Sequence, residues 1–266
     1  MAEPVIETRG LTRRFGALSA VDALTLAIEP GEVFGLLGRN GAGKTTVIKM
    51  LTTLLAPTAG VALVGGFDVV RQAASVRRII GYVPQALSAD GDLTGYENLL
   101  VFAKLYDIPR AERAQRIRDA LAFMDLAPFA DKLVKTYSGG MIRRLEIAQS
   151  TLHRPKVLFL DEPTVGLDPV ARASVWEQVE RLQKEFGAAI LLTTHYLEEA
   201  ERLCGRVAIM NHGCVTAVGT PGELKAAVGR NASFEDVFER YTGTEVQTSG
   251  GYDETSRTRR VAHRLG

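Results

Sequence analysis

The run Gly38-Arg39-Asn40-Gly41-Ala42-Gly43-Lys44-Thr45-Thr46 constrains this chain more than any other stretch. It spells Gly-x-x-x-x-Gly-Lys-Thr, the spacing of a loop whose backbone wraps phosphate. Apolar Val33-Phe34-Gly35-Leu36-Leu37 precedes it, and a helix-like stretch from Thr46 to Leu55 follows. Strand, loop and helix in that order commit this part of the chain to an α/β fold and aim the positive end of a helix at an anion. Gly38, Gly41 and Gly43 permit tight turns and close approach of N–H groups to phosphate. Lys44 is placed to reach the β- and γ-phosphates of a nucleotide. The Thr45 hydroxyl suits Mg²⁺, which keeps several waters and takes few protein ligands.

The rest of the composition narrows the class. Of 266 residues, 46% are hydrophobic, so a sizeable core is available; the formal net charge of +1 argues against a large nucleic-acid footprint. No apolar run approaches the ~18 residues needed to cross a bilayer, and Met1 to Gly10 carries no apolar signal core. A cytoplasmic chain that forms no membrane pore alone is expected. Cys204 and Cys214 are too few for a disulfide framework and are read as reduced core residues.

Along the chain, Val5 to Glu7 and Val21 to Ile28 alternate as strands do, Glu29-Pro30-Gly31 is a turn, and Val61 to Val64 and Ile79 to Val83 are further strands. From Tyr96 to Asp125 the pattern is helical, with Leu99, Leu100, Phe102, Ala103 and Leu105 on an apolar stripe; Pro109 breaks it and helix resumes from Ala111 to Met124. Another helix is expected from Gly140 to Leu152. Strand runs return at Val157 to Leu160, Ala188 to Leu192, Val207 to Met210 and Val215 to Val218, with helices at Pro169 to Phe186 and Leu197 to Leu203. The organisation is an α/β core, residues 1–88 and 154–232, interrupted by a helical insertion, 89–153. Residues 233–266 hold a short amphipathic helix, Phe234 to Tyr241, and a polar tail expected to be disordered. The tail's Arg257, Arg259, Arg260 and Arg264 either touch anionic lipid or are solvated.

Three further places carry candidate chemistry. The apolar run Val157 to Leu160 reads as a buried strand and ends in Asp161-Glu162. Ligands in open α/β sheets bind at carboxyl strand ends, so Asp161 is placed to hold Mg²⁺ and Glu162 to orient or deprotonate water. The bland alternative is two solvated acids. His195 ends the run Ala189 to Thr194 and either contacts a γ-phosphate or Glu162 or is structural. Ser138-Gly139-Gly140 opens the helix Met141 to Ala148 with a good N-cap. Such a start can hold an anion, although an isolated Ser-Gly-Gly is more often a turn.

Taken in order, these elements resemble the ATP-binding subunit of an ATP-binding-cassette (ABC) transporter across about residues 4 to 240. Gly38 to Thr46 matches Walker A, Gln85 the Q-loop, Tyr137 to Met141 the signature, Val157 to Glu162 Walker B with its catalytic Glu, Gly166-Leu167-Asp168 the D-loop, and His195 the switch histidine. Phe15 falls where the family stacks an aromatic on adenine, though it equally suits a core. Tyr137 and Met141 depart from the commonest signature, Leu-Ser-Gly-Gly-Gln. That variant, Thr194 to Ala200, and the ending Ser233 to Phe238 resemble the daunorubicin-resistance branch of exporters. The resemblance implies a RecA-like P-loop NTPase core with an N-terminal antiparallel β subdomain and an inserted α-helical subdomain. It implies ATP and Mg²⁺ as cofactors, with Thr45, Gln85 and Asp161 at the metal. Lys44, Gln85, Glu162 and His195 would be catalytic. Residues 38–46, Phe15, Ser138, Gly139, Gly140 and Asp168 would hold nucleotide between two copies of the chain. It further implies an integral-membrane permease as partner, docked on the helical insertion and Gln85, a place on the cytoplasmic face of the membrane, and no nucleic acid. An importer subunit and a non-transport ABC-type ATPase are the alternatives.

Overall fold

A computed structural model describes residues 3–243. The polar tail and its four arginines lie outside the described residues. The chain begins with β1 (Ile6–Phe15), β2 (Leu18–Ile28), β3 (Val33–Leu37), α1 (Lys44–Leu51), β4 (Ala59–Val64), β5 (Phe67–Asp68), α2 (Ala73–Ile79) and β6 (Ile80–Val83). A helical stretch follows: α3 (Gly95–Leu105), α4 (Arg110–Phe123), two short 3-10 turns and α5 (Gly139–Thr151). The chain then runs through β7 (Val157–Asp161), α6 (Pro169–Phe186), β8 (Ala189–Thr194), α7 (Leu197–Leu203), β9 (Arg206–Asn211), β10 (Cys214–Gly219), α8 (Pro221–Val228) and α9 (Phe234–Thr242).

Two sheets result. An antiparallel sheet has the order β2-β1-β4-β5, and a six-stranded sheet the order β10-β9-β3-β8-β7-β6. In the second, β6, β7, β8, β3 and β9 run parallel and β10 is antiparallel to β9. Because successive side chains alternate across a strand, each strand feeds two cores. Val157 and Phe159 join Phe34, Leu36, Val47, Ile48 and Val76 on the face covered by the antiparallel sheet, α1 and α2. Leu158 and Leu160 join Leu99, Leu145, Val175 and Phe234 on the face covered by the other helices. That double burial is why these strands read as unbroken apolar runs.

Four expectations need correction. The first strand extends to Phe15 instead of ending at Glu7: Arg9, Arg13 and Arg14 hide it from a hydrophobicity reading, and its register shifts against both neighbours. Helices α2 and α8 are additional to the expected elements, and each buries a single apolar side chain, Val76 and Leu224, too little to set up a helical period in the sequence. Leu105 leaves the apolar stripe and is 70% exposed at the end of α3. Cys204 is buried, but Cys214 is exposed on the outermost strand β10; both are free thiols.

Candidate active site

Strand order assembles the site. β8 lies between β3 and β7, with Leu37 beside Thr194 and Asp161 beside Thr193. The segments leaving the carboxyl ends of these strands are the phosphate loop, Glu162 and His195. Residues about 120 and 150 positions apart in sequence thus share one edge of the sheet, where open α/β folds bind ligands.

The loop itself is shaped for an anion. Gly43 precedes α1 at φ +105°, and no side chain caps the helix, so first-turn N–H groups remain for a ligand. A Cβ at Gly43 would overlap the Ala20 carbonyl, and an L-residue is strained at that φ. A cleft of about 310 Å³ is bounded by Asn40, Gly41, Lys44, Thr45, Gln85 and Glu162. A neighbouring cavity of about 500 Å³ lies against Arg39, Ala42, His195 and His212.

Inside this edge the charges form a chain. Lys44 Nζ donates to the Gly38 carbonyl at 2.7 Å and the Arg39 carbonyl at 3.2 Å, and pairs with Glu162 Oε1 at 3.1 Å. Glu162 Oε2 lies 3.0 Å from His195 Nδ1. A carboxylate only accepts, so this bond places a ring proton on Nδ1. Glu162 has φ +48°, an uncommon backbone state for a non-glycine residue of the kind that collects at functional sites. It is held there by its N–H donating to the Thr193 carbonyl at 3.1 Å and the Thr193 hydroxyl at 3.0 Å. Asp161 Oδ1 accepts from Thr45 Oγ1 at 3.1 Å and Thr193 Oγ1 at 2.6 Å. Burial pushes the Asp161 carboxyl up, and those two hydroxyls pull it back toward the ionised form.

The other expected residues lie elsewhere. Ser138 caps α5, accepting from Met141 N–H at 3.3 Å, and is exposed with Gly139. Among the described residues its hydrogen bonds stay within α5. Gly140 is buried; a Cβ there would stand 2.8 Å from Ala171 Cβ, so its small size lets α5 approach α6. Tyr137 is buried, and its hydroxyl donates to the Phe129 carbonyl at 2.6 Å. The departure from leucine at this position therefore serves the helical core. Asp168 is exposed and caps α6, accepting from the Val170 and Ala171 N–H groups at 3.0 and 2.9 Å. Phe15, 47% exposed at the end of β1, lies under the Arg13 guanidinium at 4.5 Å, so it is not a core residue. Thr193 escaped the sequence reading. Two threonines closing an otherwise apolar buried run, Ala189 to Leu192, were the available signal.

The sequence matches the ABC transporter family over residues 21–165. The chain belongs to that family. The daunorubicin/doxorubicin resistance ATP-binding protein of Streptomyces peucetius is 47% identical over 226 residues, 85% of this chain and 68% of that one. The Nod factor export ATP-binding protein I of Ralstonia nicotianae is 42% identical, covering 83% and 68%. A solved structure of an ATP-binding subunit of an ABC transporter superposes with a TM-score of 0.79 at 31% identity, covering 89% of this chain and 99% of that one. As an ABC ATPase, the chain binds ATP. Among the described residues no helix is long and apolar enough to cross a membrane.

Proposed function

We propose that this chain is the ATP-hydrolysing subunit of an exporter, working as a pair that closes on ATP and drives efflux through a separate integral-membrane permease on whose cytoplasmic face it sits. The observation that carries the chemistry is the line Lys44–Glu162–His195, with contacts of 3.1 and 3.0 Å at the carboxyl edge of the sheet. Phosphoryl transfer asks the protein for positioning and charge more than for covalent chemistry. Lys44 and the loop amides neutralise the triphosphate, and Glu162 orients and deprotonates the attacking water. His195 holds Glu162 in register, and Gln85 completes the wall beside the γ-phosphate. Thr45 and Asp161 supply oxygen donors, and among the described residues no cluster of three His, Cys, Asp or Glu exists. So sparse and oxygen-only a set suits Mg²⁺, with Gln85 as its third protein contact. When bound, that ion offsets charge on the phosphate oxygens.

Two features support a shared site. Ser138 and Gly139 are exposed, and among the described residues the hydrogen bonds of Ser138 stay within α5 and none reaches the phosphate loop. In a two-fold pair each α5 start, with Asp168 beside it, closes on the other copy's nucleotide. Phe15 at the end of β1 is the adenine contact in this arrangement. The drug-resistance and Nod-factor-export relatives support the outward direction, and the cargo in this reading is a drug, another hydrophobic molecule, a lipid or a glycan.

Glu162→Gln should bind ATP, form a stable dimer and lose at least ~100-fold in turnover, the usual weight of a general base. Ser138→Arg should keep nucleotide binding while ATPase activity falls. Glu162→Gln that stays monomeric on size exclusion with ATP, or Ser138→Arg with wild-type turnover, refutes the shared site.

A further inference from the structure

One buried charge pair is left unused by this chemistry. Arg143 and Glu146 lie on α5, one to two turns beyond Ser138. Both side chains are 2% exposed, with Nη1 and Oε2 2.9 Å apart. A buried pair offsets its desolvation only when further hydrogen bonds engage its remaining atoms. Arg143 Nε is buried without a partner, and the bonds the pair makes beyond itself converge on one short segment. Arg143 Nη1 donates to the Pro84 carbonyl at 2.6 Å and Nη2 to the Gln85 carbonyl at 2.7 Å. Glu146 Oε1 accepts from the Ser88 N–H and, at 3.0 Å, from the Ser88 hydroxyl. Residues 85–88 are otherwise exposed, so α5 supplies the anchorage this loop lacks. Gln85 in turn lines the cleft with Lys44, Thr45 and Glu162.

We propose that Arg143 and Glu146 are positioning residues that bind the Gln85 loop to α5, so that the seating of Gln85 in its own cleft sets the position of the Ser138 helix start presented to a second copy. This rests on the shared-site reading above. The physical reason is stiffness. A planar guanidinium that holds two successive carbonyls fixes the orientation of the peptide between them. A helix carries a displacement along its axis, and Ser138 is only ~7.5 Å of helical rise from Arg143. Movement of Gln85 toward or away from the cleft must therefore be shared by the start of α5.

The test uses the full chain carrying Glu162→Gln. Dimer formation is followed by light scattering across a Mg-ATP titration, and ATP binding by displacement of a fluorescent nucleotide at concentrations where the chain is monomeric. Arg143→Met should raise the ATP concentration at half-dimerisation about tenfold, the usual weight of a charge-assisted bond, while monomer binding changes less than about threefold. Gln85→Ala should give a shift of its own, and adding Arg143→Met to it should give no further shift, because the clamp acts only through Gln85. A merely structural role would give additive shifts or weaken monomer binding equally. Arg143→Lys, which keeps the charge but spans one carbonyl, should fall between wild type and Arg143→Met, and stands in if Arg143→Met does not fold. Unchanged half-dimerisation in Arg143→Lys and any folded Arg143→Met, or additivity with Gln85→Ala, overturns the clamp. If Glu162→Gln alone remains monomeric, the shared site fails, and the clamp fails with it.

Discussion

Gly140→Ala separates two reasons for a glycine at this helix start. The new methyl would stand 2.8 Å from Ala171 Cβ and 3.5 Å from Ala171 Cα. Carbon atoms in good contact lie ~3.5–4.0 Å apart, so α5 and α6 must separate by about 1 Å. Neither has slack: Leu145 on one and Val175 on the other are fully buried in the same core. Overpacking of this kind costs roughly 1–3 kcal/mol. The 2.8 Å contact puts this cost in the upper part of that range, about 2–3 kcal/mol, and replacing a helical glycine returns about 1 kcal/mol, so the net loss is about 1–2 kcal/mol. At roughly 2–4 °C per kcal/mol for a domain near this size, Tm should fall by about 2–8 °C. Thermal unfolding of the nucleotide-free protein reads this directly. Ala171→Gly removes the opposing methyl and should restore stability in the double variant, with a coupling of at least about 1 kcal/mol. Unchanged Tm in Gly140→Ala, or strict additivity with Ala171→Gly, refutes the packing argument and leaves backbone approach to phosphate as the sole reason for the glycine.

Other outcomes follow from the buried polar groups. Thr193→Val leaves Asp161 Oδ1 with Thr45 as its remaining hydroxyl donor and should cost about 1–3 kcal/mol in chemical denaturation with EDTA present. Because the lost bond favours the carboxylate over the acid, the loss should be larger at neutral pH than in acid; a pH-independent loss counts against this account. His153 Nε2–H donates to the Ile80 carbonyl at 3.0 Å, its ring stacks on Tyr106 at 3.7 Å, its Nδ1 is buried without a partner, and burial holds its pKa below the ordinary 6.5. The depressed folded value means that this histidine's contribution is present above 6.5 and declines as pH falls through it. His153→Phe should therefore flatten the acid side of the stability profile, and an unchanged slope would assign it to other groups.

Much of the site was legible because its signals are local. The phosphate loop needs its glycines, Lys44 and Thr45 within eight positions. β3 and β7 are buried on both faces, so they announce themselves as unbroken apolar runs that end at the candidate site. Helices α3, α4 and α6 carried period and breaks within a few residues of their observed bounds. Elements with one buried side chain, α2 and α8, left no such trace.

By itself the sequence determined which groups reach the carboxyl edge of the sheet: the loop, Asp161, Glu162 and His195. Tertiary structure alone decided their partners. Placing β8 between β3 and β7 sets Thr193 against Asp161 and lets one hydroxyl serve both that carboxylate and the Glu162 N–H. The packing of α5 likewise decided that Arg143 holds the carbonyls of Pro84 and Gln85, and that Gly140 answers to Ala171. These contacts join residues about 30 to 60 positions apart. Their geometry follows from strand order and helix approach, which no local periodicity encodes.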